Sequence, residues 1–269
     1  MKRNNYSNIE KEKIFYPRTY RYLSSNKIES ILYLLILVLP CLILLILNYG
    51  KLSIFMSDIT AMILELMVPG IEINYSTVEF IPFLEKIKIV VLPTRLPSFT
   101  FTVSNICISF LLIFFIRNGR GKNSPLGIFI GIMIFIHIIN CSYFLFASEA
   151  FPYTAKDYSG LYMQQQVGIW ISFLLIMGLV TGILGYKRLL LRITTFFGVM
   201  IYSFLFGLLR YVLVIYAVYK FSLLYVVIFF FALGPFSDLF YLVSIYGFFV
   251  NKMINIYEGE KGREAWKWS

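Results

Sequence analysis

Cys107, His137, Asn140 and Cys141 are the residues whose types and spacing suggest chemistry. Cys107 lies roughly six residues inside the outer end of one apolar run, and Cys141 about as far inside the next; at ~1.5 Å per residue, two antiparallel helices would place them at similar depth. His137 stands one turn deeper than Cys141 on the same helix face, and it is the only histidine in the chain. A thiol becomes a useful nucleophile beside a base or cation, and histidine is the usual choice. The spacing singles out Cys107 as thiol nucleophile, His137 as base and Asn140 as orienting partner. The plainer reading is a cysteine acting as a small hydrophobe and a histidine hydrogen-bonded to a neighbouring helix.

Arg210 and Asp238 are the two charges inside the last apolar runs. Asp238 follows Gly234-Pro235, where a helix would bend and release a backbone carbonyl. One reading is a helix-locking ion pair, or an arginine snorkelling outward. The other is a cation that binds a carboxylate or stabilises an oxyanion in a membrane-embedded site.

The elements that must position these groups are membrane spans. The chain is 59% apolar and only 14% charged, and ~20 apolar residues cross a bilayer as a helix. Runs at 30–49, 101–116, 126–147, 167–185, 193–219 and 222–250 qualify. The expected fold class is therefore all-α: a polytopic transmembrane helical bundle of about six spans. The net charge of +10 is concentrated in the first 28 residues and in loops 117–125 and 186–192, while 50–100 and 148–166 together hold five basic and seven acidic residues. Basic loops stay cytoplasmic, so both termini are expected inside. The expected division is a basic cytoplasmic tail (1–28), a transmembrane domain (29–250) with an outward segment at 50–100, and a cytoplasmic tail (251–269).

The basic surplus thus reports topology and attraction to the lipid bilayer, not a nucleic-acid partner. Outward loops without cysteine argue against a disulfide framework. No C-x-x-C or His/Cys cluster suggests zinc, and no other cofactor is called for. ATP-binding, zinc-protease and serine-hydrolase motifs are missing too. Between the first two spans, 53–68 reads as an amphipathic interfacial helix ended by Pro69-Gly70. The β-branched segment after it, broken by Pro93 and Pro97, reads as a short extended or hairpin-like lid. Residues 148–166 read as a polar, aromatic outward loop.

ILELMVPGIEI, then FTFTVSNICIS holding Cys107, a basic loop, and GIFIGIMIFIHIIN ending at Asn140 resemble the exosortase and archaeosortase family of membrane cysteine transpeptidases, over about residues 55–185. In that family a Cys stands at the outer mouth of a helix, an Asn-x-x-Arg motif ends the next helix, and a His begins the one after. The resemblance implies a cell (inner) membrane protease and transpeptidase. It would recognise C-terminal sorting signals of membrane-anchored exported proteins, cleave them, and transfer the product to an amine or lipid acceptor. Cys107 matches the nucleophile and Asn140 the Asn, but Tyr143 stands at the Arg position and 148–166 holds no histidine. In a second register Tyr158-Ser159-Gly160-Leu161 keeps the family's Ser-Gly-Leu, Arg210 falls near the outer end of its helix, and Tyr158 replaces the Cys. Neither register keeps a complete Cys, Arg and His set. Two functions follow. One is a divergent enzyme using Cys107, His137, Asn140 and Arg210; the other is a non-catalytic membrane subunit or scaffold of an envelope or polymer-export complex. A transporter is a third reading, without the paired interrupted helices of an inverted repeat.

Overall fold

The computed structural model describes residues 21–23, 27–119, 124–184, 188–232, 234–259 and 266–268. Most of the basic tail at 1–28 therefore lies outside the described residues. The architecture is an all-α bundle with one embedded β-hairpin, and five of its helices are long and apolar enough to cross a membrane.

The first of these runs unbroken from Ile28 to Met67. It comprises α1 (Lys27–Tyr33), a π-helical turn (Leu34–Val38) and α2 (Leu39–Met67). The π turn directly precedes Pro40, which cannot donate to the carbonyl four residues back and would clash with it; a wider turn removes the conflict. Residues 53–67 are thus not a separate helix but the continuation of the first one. Gly50 does not break it. A Cβ there would lie 2.5 Å from Cβ of Glu85, so the glycine makes room for the hairpin loop. Pro69-Gly70 does end the helix, with Gly70 at φ +81°.

The hairpin pairs β2 (Asn74–Val78) with β3 (Ile87–Val91), Asn74 opposite Val91 and Val78 opposite Ile87. It is more than a lid. Ile87, Ile89 and Val90 are fully buried, because β3 is seated between α2 and the helix that begins at Ala155. The buried stripe of α2 carries Ser53, Ser57, Thr60 and Ala61. These small side chains let the strand approach, and two of them hold it: Ser57 Oγ donates to Lys88 O at 2.8 Å, and Lys88 N donates to Ser53 Oγ at 3.1 Å. The large apolar residues Phe55, Met62 and Leu66 face outward, as lipid contact requires.

Next come α3 (Phe99–Asn118), capped by Ser98, and α4 (Pro125–Ala147), capped by Ser124. They form an antiparallel pair. A single 3₁₀ turn (Ser148–Ala150) leads to α5 (Ala155–Leu184), so the expected outward loop 148–166 is mostly helix. Its start is a reciprocal cap. Thr154 N donates to Asp157 Oδ2 at 2.7 Å, and Asp157 N donates to Thr154 Oγ1 at 3.4 Å. Thr-x-x-Asp is a sequence-level signal for such a start.

α6 (Leu189–Phe221) returns along α5. The last apolar run, read as one span, is three pieces: a 3₁₀ turn (Leu223–Tyr225), α7 (Val226–Ala232) and α8 (Pro235–Gly259). Proline at the first position of α8 suits a helix start and cannot continue α7. A short antiparallel pair, β1 (Arg21–Leu23) with β4 (Trp266–Trp268), joins the two terminal segments.

At the bundle end opposite the hairpin, Arg192 is 1% exposed and is a clamp, beyond the topology charge its loop suggested. Its guanidinium donates to the carbonyls of Thr181 (2.9 Å) and Gly182 (3.1 Å) and to Glu29 Oε1 (2.9 Å), and it lies 4.0 Å over the Tyr33 ring. It thereby satisfies carbonyls at the end of α5 that have no helical partner. Arg192→Ala is expected to lower stability by about 3 kcal/mol, leaving two buried acceptors unpaired. Arg117→Ala, an exposed cation at the end of α3, should change it by less than about 0.5 kcal/mol. Thermal unfolding of the detergent-purified protein measures both.

Candidate functional site

The predicted site residues fall into two separate polar centres, with Cys107 in neither. On α3 the buried positions are Thr102, Asn105 and Ser109. At ~100° per residue Cys107 points to the opposite side of the helix, and it is exposed. Residue counting addressed depth alone, whereas rotation turns the thiol away from the buried face of α3.

His137 is buried and meets a different cysteine. Its Nε2 lies 3.5 Å from Sγ of Cys141, one turn on along α4, and its ring stacks on Tyr225 at 5.4 Å. Tyr225 OH donates to Oδ1 of Asn105 at 2.5 Å, while Nδ2 of Asn140 donates to Leu224 O at 2.7 Å. These contacts plug the 3₁₀ turn (Leu223–Tyr225) into the α3–α4 pair. The turn is strained where it begins: Ser222 has φ 93° and ψ 173°, a region that is nearly glycine-only. Its hydroxyl accepts from Leu224 N at 3.3 Å.

The second centre is built on facing polar stripes. α5 presents Ser159, Tyr162 and Gln166, and α6 presents Ser203, Gly207, Arg210 and Tyr211, all of them buried. Arg210 Nε donates to the Tyr162 hydroxyl. Nη2 donates to Gln166 Oε1 at 2.5 Å, and Nη1 donates to Asp238 Oδ2 at 2.5 Å and Gly234 O at 2.9 Å. The same Gly234 carbonyl also accepts from Ser237 N at 3.1 Å and Ser237 Oγ at 2.9 Å at the start of α8. Arg210 and Asp238 are 2% and 1% exposed, so the two charges neutralise each other away from water. Gly207 is required for this approach, since a Cβ there would stand 2.5 Å from the Gln166 amide carbon.

Tyr162 stacks on Tyr211 with centroids 5.3 Å apart, which carries the centre on to the hairpin. Val90 N donates to the Tyr211 oxygen at 3.0 Å, and Ser159 Oγ donates to Val90 O at 2.6 Å. The remaining short contact, Tyr211 to Ser159 at 2.6 Å, must then have Tyr211 as donor, because each hydroxyl has one proton. α5, α6, α8 and β3 are thus joined through one buried polar chain.

Sequence reading paired Arg210 with Asp238 only as an option and put Gln166 in a surface loop. The signal available was the 3–4 spacing of Ser159, Tyr162 and Gln166 opposite the same spacing on α6. Among the described residues no cluster of three or more His, Cys, Asp or Glu side chains could hold a metal ion. Compared with known protein families, characterised proteins and solved structures, the chain shows no match.

Breaking a buried pair costs more than replacing it with apolar residues. Arg210→Leu and Asp238→Leu are each expected to destabilise the protein by about 3–5 kcal/mol, and the double variant should recover most of that loss. Denaturation of the three variants in one detergent checks this. Wild-type stability in Asp238→Leu would mean the pair does not hold the helices together.

Proposed function

We propose that this chain is a non-catalytic membrane subunit, built on an exosortase-like plan, that serves an envelope complex by binding partners and not by cleaving them. The observation that carries the reading is the state of Arg210. Acceptors engage every nitrogen of its guanidinium, among them Tyr162, Gln166, Asp238 and the Gly234 carbonyl, so a substrate carboxylate or oxyanion would have to displace a buried counter-ion. In the second register Tyr158 occupies the family's cysteine position. A phenol packed against Phe151 and Tyr153 lacks the easily formed thiolate that such a transpeptidase uses.

The first register fares no better as chemistry. Cys107 and His137 face different ways, and the cysteine beside His137 is Cys141, fully buried in the core. On this reading the polar residues fix helix positions, and the activity resides in surfaces. The orientation is the one the charges favour: hairpin end outside, loops 119–124 and 185–188 and both termini inside, in the cell membrane.

Two experiments test the proposal. In a host strain lacking the gene, a chain with Cys41, Cys107 and Cys141 replaced by Ala or Ser should restore function to at least about half of wild type, core Cys141 carrying any folding cost. Failure of Cys107→Ala alone, with normal abundance, would establish a thiol nucleophile and overturn the reading. On the cysteine-free background, Phe83→Cys should be labelled in intact cells by a membrane-impermeant maleimide. Ser124→Cys should be labelled only after permeabilisation; the reverse pattern would invert the topology.

A further inference from the structure

A second feature at the hairpin end is independent of the proposed function. The Pro93–Ser98 segment and the end of α6 (Tyr219–Ser222) enclose a cleft of about 720 Å³, within the size range of small-ligand sites. Its two charged lining residues are Arg95 and Lys220, and no carboxylate lines it. Neither cation forms an ion pair with another described residue. The hairpin lysines nearby are matched, Lys86 with Glu79 at 3.0 Å and Lys88 with Asp58 at 2.6 Å. The cleft's two cations thus differ from the hairpin lysines in having no carboxylate partner among the described residues.

Its walls are built to hold their shape. Pro93 and Pro97 bracket Arg95 and fix the backbone on either side. Across the cleft, Ser222 keeps its glycine-like φ of 93° through the plugged 3₁₀ turn, and strain of this kind gathers at ligand clamps. Ser98 and Ser222 add hydroxyls. The rim is apolar and aromatic: Leu96 and Phe221 are 48% and 49% exposed, with Phe101 and Tyr219 in the lining. Aromatic side chains with polar neighbours at helix ends belong at the headgroup level of a bilayer.

We propose that this cleft binds phosphate as the headgroup of an anionic lipid, the phosphate between Arg95 and Lys220 and the acyl chains leaving over the aromatic rim. Two cations with no counter-ion among the described residues supply the attraction, the hydroxyls supply donors, and the rim accounts for the lipid.

The test uses the full chain in a non-ionic detergent with equal amounts of phosphatidylglycerol and phosphatidylcholine, retained lipid being read by native mass spectrometry. Phosphatidylglycerol should be preferred. The Arg95→Gln/Lys220→Gln double variant should lose that preference by on the order of tenfold or more, each basic side chain near an anionic surface being worth about a fivefold change. Lys86→Gln should keep it. Equal retention of the two lipids by wild type, or an unchanged preference in the double variant, overturns the proposal.

Should the double variant not fold, the wild type decides the matter. Acylation of Lys220 by an amine reagent should slow at least about threefold with phosphatidylglycerol present and not with phosphatidylcholine; no protection overturns the proposal. Inorganic phosphate separates the sources. Displacement of bound phosphatidylglycerol by millimolar phosphate shows that the phosphate group is what is recognised. Protection of Lys220 by phosphate without lipid retention overturns the lipid assignment in favour of a soluble phosphate.

Discussion

A guanidinium buried among apolar helices is the constraint on which this fold turns. Arg210 cannot lose its charge, and placing it in hydrocarbon without partners would cost several kcal/mol. The bundle answers by converging on it. Tyr162 and Gln166 come from α5, Asp238 from α8, and the Gly234 carbonyl from the junction where α7 and α8 part. That junction breaks the last apolar run and brings the Gly234 carbonyl, which also caps the start of α8 through Ser237 N, within reach of the cation. Gly207 belongs to the same solution, since only a missing side chain lets Gln166 reach across α6.

The hairpin follows from the same economy. Backbone groups inside a bundle must be paired, and β3 enters among helices with polar groups to satisfy on both edges. One edge is met by β2. On the other, Ser53 and Ser57 of α2 take the amide and carbonyl of Lys88, and Tyr211 and Ser159 take those of Val90. Lys88 and Val90 lie two apart in the strand, so their backbone groups point to the same side of the ladder. A strand can lie here only because three helices, α2, α5 and α6, supply hydroxyls at matching heights. Through the stacked Tyr162 and Tyr211 rings the hairpin is coupled to the Arg210 centre, and its placement depends on that centre being intact.

The sequence made the helical, membrane-embedded class legible, because apolar run length is a strong signal. It also showed that Arg210 and Asp238 were charges needing a reason, and that the stretch after Pro69-Gly70 was extended or hairpin-like. The misses share a cause. The break at 50, the loop at 148–166 and the single span at 222–250 were judged from composition, whereas the chain uses local devices. Gly50 accommodates a neighbour, Thr154 and Asp157 cap a helix inside an aromatic stretch, and Gly234-Pro235 divides one. The Thr-x-x-Asp cap had a pattern that could be read directly, and Gly234-Pro235 was legible as a bend though not as a full break. Arg192 looked like one more cytoplasmic charge because nothing in its neighbours along the chain announces that Thr181, Gly182 and Glu29 will surround it.

The Cys107 reading went astray in a more instructive way. Matching depth along two antiparallel helices is a one-dimensional argument, while contact also depends on rotation, at ~100° per residue. Asn105 and Ser109 face inward, so Cys107 between them must face outward, and the inward position on α3 that meets the His137 cluster is Asn105, through Tyr225. The periodicity of α3 held little information, because nearly every position is apolar and lipid accepts what a core would accept. In such a helix the small polar residues mark the buried face. Read that way, Thr102, Asn105 and Ser109 on α3 and Ser53, Ser57 and Thr60 on α2 identify the packed faces, and the same rule applied to α5 and α6 leads to Arg210. A polar stripe in a membrane helix is thus first a statement about packing, and chemistry has to be argued from groups the packing leaves free.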